Sequence, residues 1–196
     1  MIDACVGKVK GFLLRPVEAL RQAKTDEPGM VLVYLALLGV INAAFSAIVA
    51  VFALSSSREY LPYLSGAAGP VLIFLIVLAA EFVFTLLFAT WLHLWVYVVG
   101  GRRGILQTVI AVVYGSTPRL LLGWIPFVGI LFLFWSLVLW VLGVRDLQEL
   151  STAKAVIAVA VAILIPLVVL VILFAYLYVG SVATVTPVML SQPGLE

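Results

Sequence analysis

One cysteine and one histidine are all that this 196-residue chain offers among the soft metal ligands. Cys5 alone cannot close an internal disulfide, and with His93 it forms no cluster able to hold zinc. Charge is scarce as well: 10% of the residues are Asp, Glu, Lys or Arg, against about 25% in an ordinary soluble domain. No H-E-x-x-H, no G-x-S-x-G and no D-x-D-rich cluster occurs, which argues against a membrane hydrolase or transferase. The stretch Gly100-Gly101-Arg102-Arg103-Gly104 is glycine-rich and basic, but it lacks the long loop and Lys-Ser/Thr pair of a phosphate-binding P-loop. We expect no cofactor, no metal, no nucleic-acid partner and no enzymatic activity.

Apolar residues fill the chain instead. Hydrophobic types make up 65% of it and the mean hydropathy is +1.29, more than a soluble core of this size could hide, because small domains keep much of their surface in water. The surplus must face lipid. The expected fold class is all-α: a polytopic membrane protein of five transmembrane helices with an N-terminal amphipathic interfacial helix. Apolar runs at about 30–54, 70–99, 105–123, 127–144 and 155–179 each approach the roughly 20 residues that a bilayer core requires. In the first, Gly39, Asn42, Ala43, Ser46 and Ala50 share a face whose small and hydrogen-bonding side chains suit helix contact. The fifth contains Pro166, where a kink is expected because proline removes a backbone hydrogen bond.

Residues 1–29 read as a cytoplasmic prelude, 30–179 as the membrane domain and 180–196 as an outside tail. In the prelude Val6, Val9, Leu13, Val17 and Leu20 project to one face, with Lys8, Arg15, Glu18 and Arg21 turned away, the pattern of a helix in the interface plane. Pro16 divides it into a helix ending near Leu14 and another from Pro16 to Lys24. No apolar run of signal-peptide length precedes Met30, so a cleaved signal is not expected. With the N-terminus inside, nine basic residues lie in cytoplasmic segments and only Arg58 and Arg119 outside, an asymmetry that sets orientation in the cell membrane. Tyr34, Trp95, Tyr97 and Trp140 are expected in an inner aromatic belt, and Lys8, Lys10, Arg15, Arg21, Arg102 and Arg103 against anionic lipid heads.

Segments two and three, joined by the Gly100 turn, carry the candidate chemistry. Segment three holds Gln107, Thr108, Tyr114, Ser116, Thr117 and Arg119, and cannot show that circumference to lipid without orphaning polar groups. Glu81 and Arg119 lie at matching depths, and an ionisable group in hydrocarbon is a functional candidate by default. We take Glu81, Arg119, Tyr114 and Asn42 as the candidate intramembrane polar site. Three readings of the pair stay open: a structural clasp, a substrate or proton pathway, or no contact, with Arg119 reaching outward. His93, flanked by Trp91 and Trp95, reads as an interfacial histidine. Twelve positions separate it from Glu81, which puts the two about 120° apart on the helix. Segments four and five, without ionisable residues in their cores, are expected at the periphery.

Leu14-Arg15-Pro16-Val17-Glu18-Ala19-Leu20 in the prelude, Tyr114-Gly115-Ser116-Thr117-Pro118 in the third span and Leu147-Gln148-Glu149-Leu150-Ser151-Thr152-Ala153-Lys154-Ala155 before the fifth resemble the Yip1 domain family over nearly the whole chain. The resemblance implies a cytoplasmic N-terminus, five spans and an outside C-terminus. Eukaryotic members act in vesicle trafficking with Rab-type GTPases and with one another. This chain has no long cytoplasmic N-terminal region, so it looks like a bacterial or archaeal member and the GTPase partnership is left open. The expected function is a membrane-organising scaffold with lipid, protein partners or a second copy of itself. The alternative is a small transporter or channel with a polar cavity around Glu81 and Arg119.

Overall fold

The computed structural model describes residues 2–54 and 68–190, with side chains at 5–53 and 68–179. Every described element is a helix: α1 (Ile2–Leu14), α2 (Pro16–Ala23), α3 (Pro28–Leu54), α4 (Gly69–Val98), α5 (Ile105–Gly115), α6 (Thr117–Leu122), α7 (Gly129–Leu147) and α8 (Thr152–Leu190). Five stretches are long and apolar enough to cross a membrane: Pro28–Ala53, Gly69–Val98, Ile105–Leu122, Gly129–Leu147 and Thr152–Val179. The architecture is that of an all-α, multi-pass membrane protein. Two compact units are distinguished, residues 1–159 and 160–196. In the second, α8 continues unbroken through Pro166 and past the limit expected at 179, with Leu167 to Phe174 exposed.

In the first unit the third span is the axis. Its most apolar window is 61% buried, against 33% at most for any other span, and α3, α4, α7, α1 and α2 all pack on α5 or α6. The span is broken at Ser116 into α5 and α6, where the sequence suggested one continuous segment. Pro118 explains the break. Lacking an N–H, it cannot bond the carbonyl of Tyr114 four residues back, and the Thr117 hydroxyl donates to that carbonyl instead at 2.6 Å. Since Thr117 has spent its proton there, the Tyr34 hydroxyl on α3 donates to Thr117 Oγ1 at 2.8 Å. The break is thus closed by a relay that starts on another helix.

Segment four is not peripheral. α7 packs along α5 and α6, and the indole of Trp140 donates to Val112 O at 3.1 Å while lying 3.2 Å from Ser116 Oγ. Ser136 Oγ accepts the Arg119 backbone N–H at 3.2 Å. Hydropathy hid this, because a tryptophan that donates to a neighbouring helix looks the same in sequence as one facing lipid. Tyr34 and Trp140 are therefore interior residues, not members of a belt; they are 0% and 6% exposed.

The prelude also departs from the projection. Cys5, Phe12, Leu20 and Ala23 are its buried residues, whereas Val6 is exposed. Lys8 turns inward because its ammonium pairs with Asp26. Phe12 stacks on Tyr114 at 4.6 Å between ring centroids and meets Tyr34 edge-on at 6.4 Å. A helix expected to float on the interface is instead docked on the bundle.

Close helix approach depends on glycine at two points. A Cβ at Gly115 would stand 2.5 Å from Trp140 Cδ1, and one at Gly143 would stand 2.9 Å from Ala111 Cβ and 3.1 Å from its Cα. At Gly7 in α1 a Cβ meets nothing within 4 Å. Gly143→Ala is expected to lower stability by about 1–3 kcal/mol through overpacking, and Gly7→Ala to raise it by up to about 1 kcal/mol through helix propensity. Thermal unfolding in detergent reads both; equal effects would mean that the α5–α7 contact is loose.

Candidate functional site

Glu81 on α4 and Arg119 on α6 meet at depth. Arg119 Nη1 lies 2.9 Å from both carboxylate oxygens and donates to Oε1. Its Nη2 is 3.5 Å from Thr85 Oγ1. The side chains are 12% and 18% exposed, so the pair is largely removed from its surroundings but open at one edge. Glu81 Oε2 is buried and makes no hydrogen bond among the described residues. Asn42 joins from α3, donating to Leu120 O at 3.0 Å and lying 3.4 Å from Arg119 O. Ser46 donates to Asn42 Oδ1 at 3.3 Å. Gly123 N–H already takes Arg119 O at 2.8 Å, so Asn42 adds a tie from α3 to the later carbonyls of α6.

Tyr114 belongs to a different cluster. Its hydroxyl donates to Asp26 Oδ2 at 2.5 Å and stands 3.2 Å from Lys8 Nζ, which also pairs with Asp26. The Lys8 ammonium lies 4.8 Å from the centre of the Tyr114 ring. Of the four candidate residues, then, three converge and the fourth serves the junction between prelude and bundle. Asp26 was not singled out by sequence reasoning. The available signal was an acid in the turn just before a span, where a buried tyrosine can reach it.

A third network ties the helix ends. His93 Nδ1 is 2.8 Å from Thr108 Oγ1, and Gln148 Nε2 donates to the same oxygen at 3.0 Å. Gln148 also donates to Gly104 O at 2.8 Å and accepts from the Arg103 backbone N–H at 3.0 Å. Two helices end alike here. In α4, Gly100 takes the left-handed conformation (φ 106°) and the N–H of Gly101 reaches back to Val96 O at 2.8 Å. In α7, Glu149 takes it (φ 55°) and Leu150 N–H reaches Arg145 O at 2.9 Å. Glycine is the usual occupant of such a position, and a side chain there costs about 1–2 kcal/mol. What Glu149 brings is a carboxylate that bridges Lys24, at 2.5 Å, and Arg103.

A model of the Yip1 domain matches residues 10–185. The chain belongs to the Yip1 domain family. No curated protein and no solved structure matches it significantly. The Yip1 match begins inside α1 and ends inside α8, so it takes in the docked prelude, the broken third span and the Glu149 corner together. For a Yip1-domain protein with five membrane-length helices, contact with lipid follows from the apolar side chains left exposed on α4 and α7, among them Phe84, Leu87, Leu131 and Phe134.

Two measurements probe these networks. Glu81→Gln is expected to destabilise the protein by about 3 kcal/mol by leaving Arg119 without its counter-charge, and Glu81→Leu/Arg119→Leu to regain much of that loss. A double variant no more stable than either single change would mean that the pair does not act as a clasp. At the α7–α8 corner the hydrogen bonds from Lys24 and then Arg103 hold the Glu149 carboxyl below its ordinary 4.5. A lowered pKa stabilises fully above the ordinary value, and that contribution is lost as acid carries the folded carboxyl through its depressed pKa. The stability gap between wild type and Glu149→Gln should therefore be constant above pH 4.5 and close below it; a gap that ignores pH would exclude the charge as its source.

Proposed function

We propose that this Yip1-domain protein is a non-enzymatic membrane scaffold that organises its bilayer and binds other membrane proteins or a second copy of itself. The observation that carries the reading is how the polar groups of the third span are used. Thr108, Ser116, Thr117 and Arg119 each engage another helix, so the polar interior is committed to joining helices. We assign residues 1–29 to the cytoplasmic side of the cell membrane, 30–179 to the membrane domain and 180–196 to the outside. The nine-to-two division of basic residues supports that orientation. Lys10, Arg15, Arg21 and Arg102 are proposed to meet anionic lipid heads, whereas Lys8 and Arg103 are engaged by Asp26 and Glu149.

One observation favours a second reading, a small transporter using Glu81. Glu81 Oε2, ion-paired with Arg119 at 2.9 Å but accepting no hydrogen bond among the described residues, keeps acceptor capacity in a site where unsatisfied groups are costly. Two experiments decide between the readings. Cross-linking in intact cells followed by purification should recover the same membrane proteins, or a dimer of the chain, in repeated preparations. Proteoliposomes should show no solute or proton flux above empty vesicles. Flux abolished by Glu81→Gln, with cross-links to lipid alone, would replace the scaffold with the transporter.

Orientation needs its own test, because Cys5 is only 7% exposed and would escape labelling on either side. On a Cys5→Ser background, an impermeant thiol reagent added to intact cells should miss Lys10→Cys and reach Ser191→Cys. The reverse pattern would invert the topology.

A further inference from the structure

Beside the corner where α7 gives way to α8, α2 helps enclose an open cleft of about 440 Å³, within the ~300–1,000 Å³ of small-ligand sites. Five charged side chains line it: Arg21, Lys24, Arg145, Asp146 and Glu149. Lys24 and Glu149 pair with each other, and Glu149 takes Arg103 as well. The other three have capacity left. Arg145 uses Nε on Asp146 Oδ1 at 2.7 Å, which leaves the two terminal nitrogens of its guanidinium. Arg21 is exposed and has no ion pair among the described residues. Asp146 Oδ2 is buried without a hydrogen-bond partner among the described residues.

Guanidinium groups match phosphate oxygens in geometry and charge, and a buried carboxylate oxygen lacks only a donor. The carbonyl end of α7 would repel an anion, but the N–H groups of Gln148 and Leu150 already cap Val144 O and Arg145 O at 3.1 and 2.9 Å. We propose that this cleft binds a phosphate ester with a nearby ammonium group, of the ethanolamine phosphate type. Arg21 and Arg145 take the phosphate, and the Asp146 carboxylate on the cleft wall holds the ammonium. A zwitterion of that kind leaves the mixed charge of the lining unchanged. Two spans end or begin within a few residues of the cleft, Gly129–Leu147 and Thr152–Val179, which sets it at the level of lipid headgroups. The same chemistry exists on a phosphatidylethanolamine lipid and on free O-phosphoethanolamine. The assignment is independent of the scaffold reading and of the Glu81–Arg119 pair.

Native mass spectrometry of the full chain in detergent, titrated with dioctanoyl phosphatidylethanolamine and dioctanoyl phosphatidylcholine, tests it. The two lipids have equal net charge, but only the first offers N–H donors. Wild type is expected to prefer the ethanolamine lipid by about tenfold, the scale of one charge-assisted hydrogen bond. Asp146→Asn should bring the two lipids to within about twofold. Arg21→Gln/Arg145→Gln should weaken both by about tenfold or more, while Lys154→Gln, an exposed basic residue that does not line the cleft, binds as wild type. If the double variant does not fold, Arg21→Gln alone decides, since that side chain holds nothing else in place. Competition by free O-phosphoethanolamine assigns the site to a soluble ligand, and its failure to compete assigns it to the lipid. Equal binding of the two lipids by wild type, or unchanged binding in the arginine variants, overturns the proposal.

Discussion

A helix inside a bilayer has no water to satisfy a carbonyl that loses its partner. Pro118 creates that situation at Tyr114, midway along the third span, and the surrounding protein is arranged to answer it. The Thr117 hydroxyl covers the carbonyl and Tyr34 covers the hydroxyl, while Trp140 adds a further donor to Val112 O and Asn42 ties the carbonyl of Leu120 to α3. Those partners come from α3 and α7 as well as from the broken span itself. The wrapping of the third span is thus a requirement of its backbone before it is a matter of side-chain preference, and the position of most other helices follows from it.

Much of this was legible in advance. The spans follow from hydropathy, the hairpin from the short Gly100 turn, and the small face of segment one placed Asn42 and Ser46 where their hydrogen bonds are found. Equal depth in two antiparallel helices was enough to bring Glu81 and Arg119 together. The grouping of Tyr114 with Arg119 was a different inference and did not hold. Five positions at 100° put them about 140° apart even on an unbroken helix, and the break at Ser116 separates them further. Membership of the same polar segment was no guide to sharing a site.

What stayed hidden depended on partners outside the apolar runs. Lys8 looked like a surface charge because its counter-ion, Asp26, sits in a turn that a hydropathy profile treats as spacer. Phe12 was passed over in favour of the valines around it, although an aromatic ring with two tyrosines to pack on gains more than a valine does. Trp140 was read as a member of the inner aromatic belt, for want of any sign that its indole would reach Val112 O on α5. Glu149 carries a left-handed backbone that sequence normally announces with glycine. Only the positions of Lys24 and Arg103 give a reason for a carboxylate there.

The docked prelude also has a bearing on the order in which the molecule can be assembled. Synthesis delivers the N-terminus first, yet the aromatic surface that receives Phe12 includes Tyr114, which emerges a hundred residues later and must first be inserted with the third span. Through that interval α1 already has two partners made, Tyr34 for Phe12 and Asp26 for Lys8, the latter only 18 residues away. The Lys8–Asp26 pair can therefore hold α1 beside the entrance to α3 as a tether. Tyr114 then finds both the ring and the carboxylate waiting when its helix arrives.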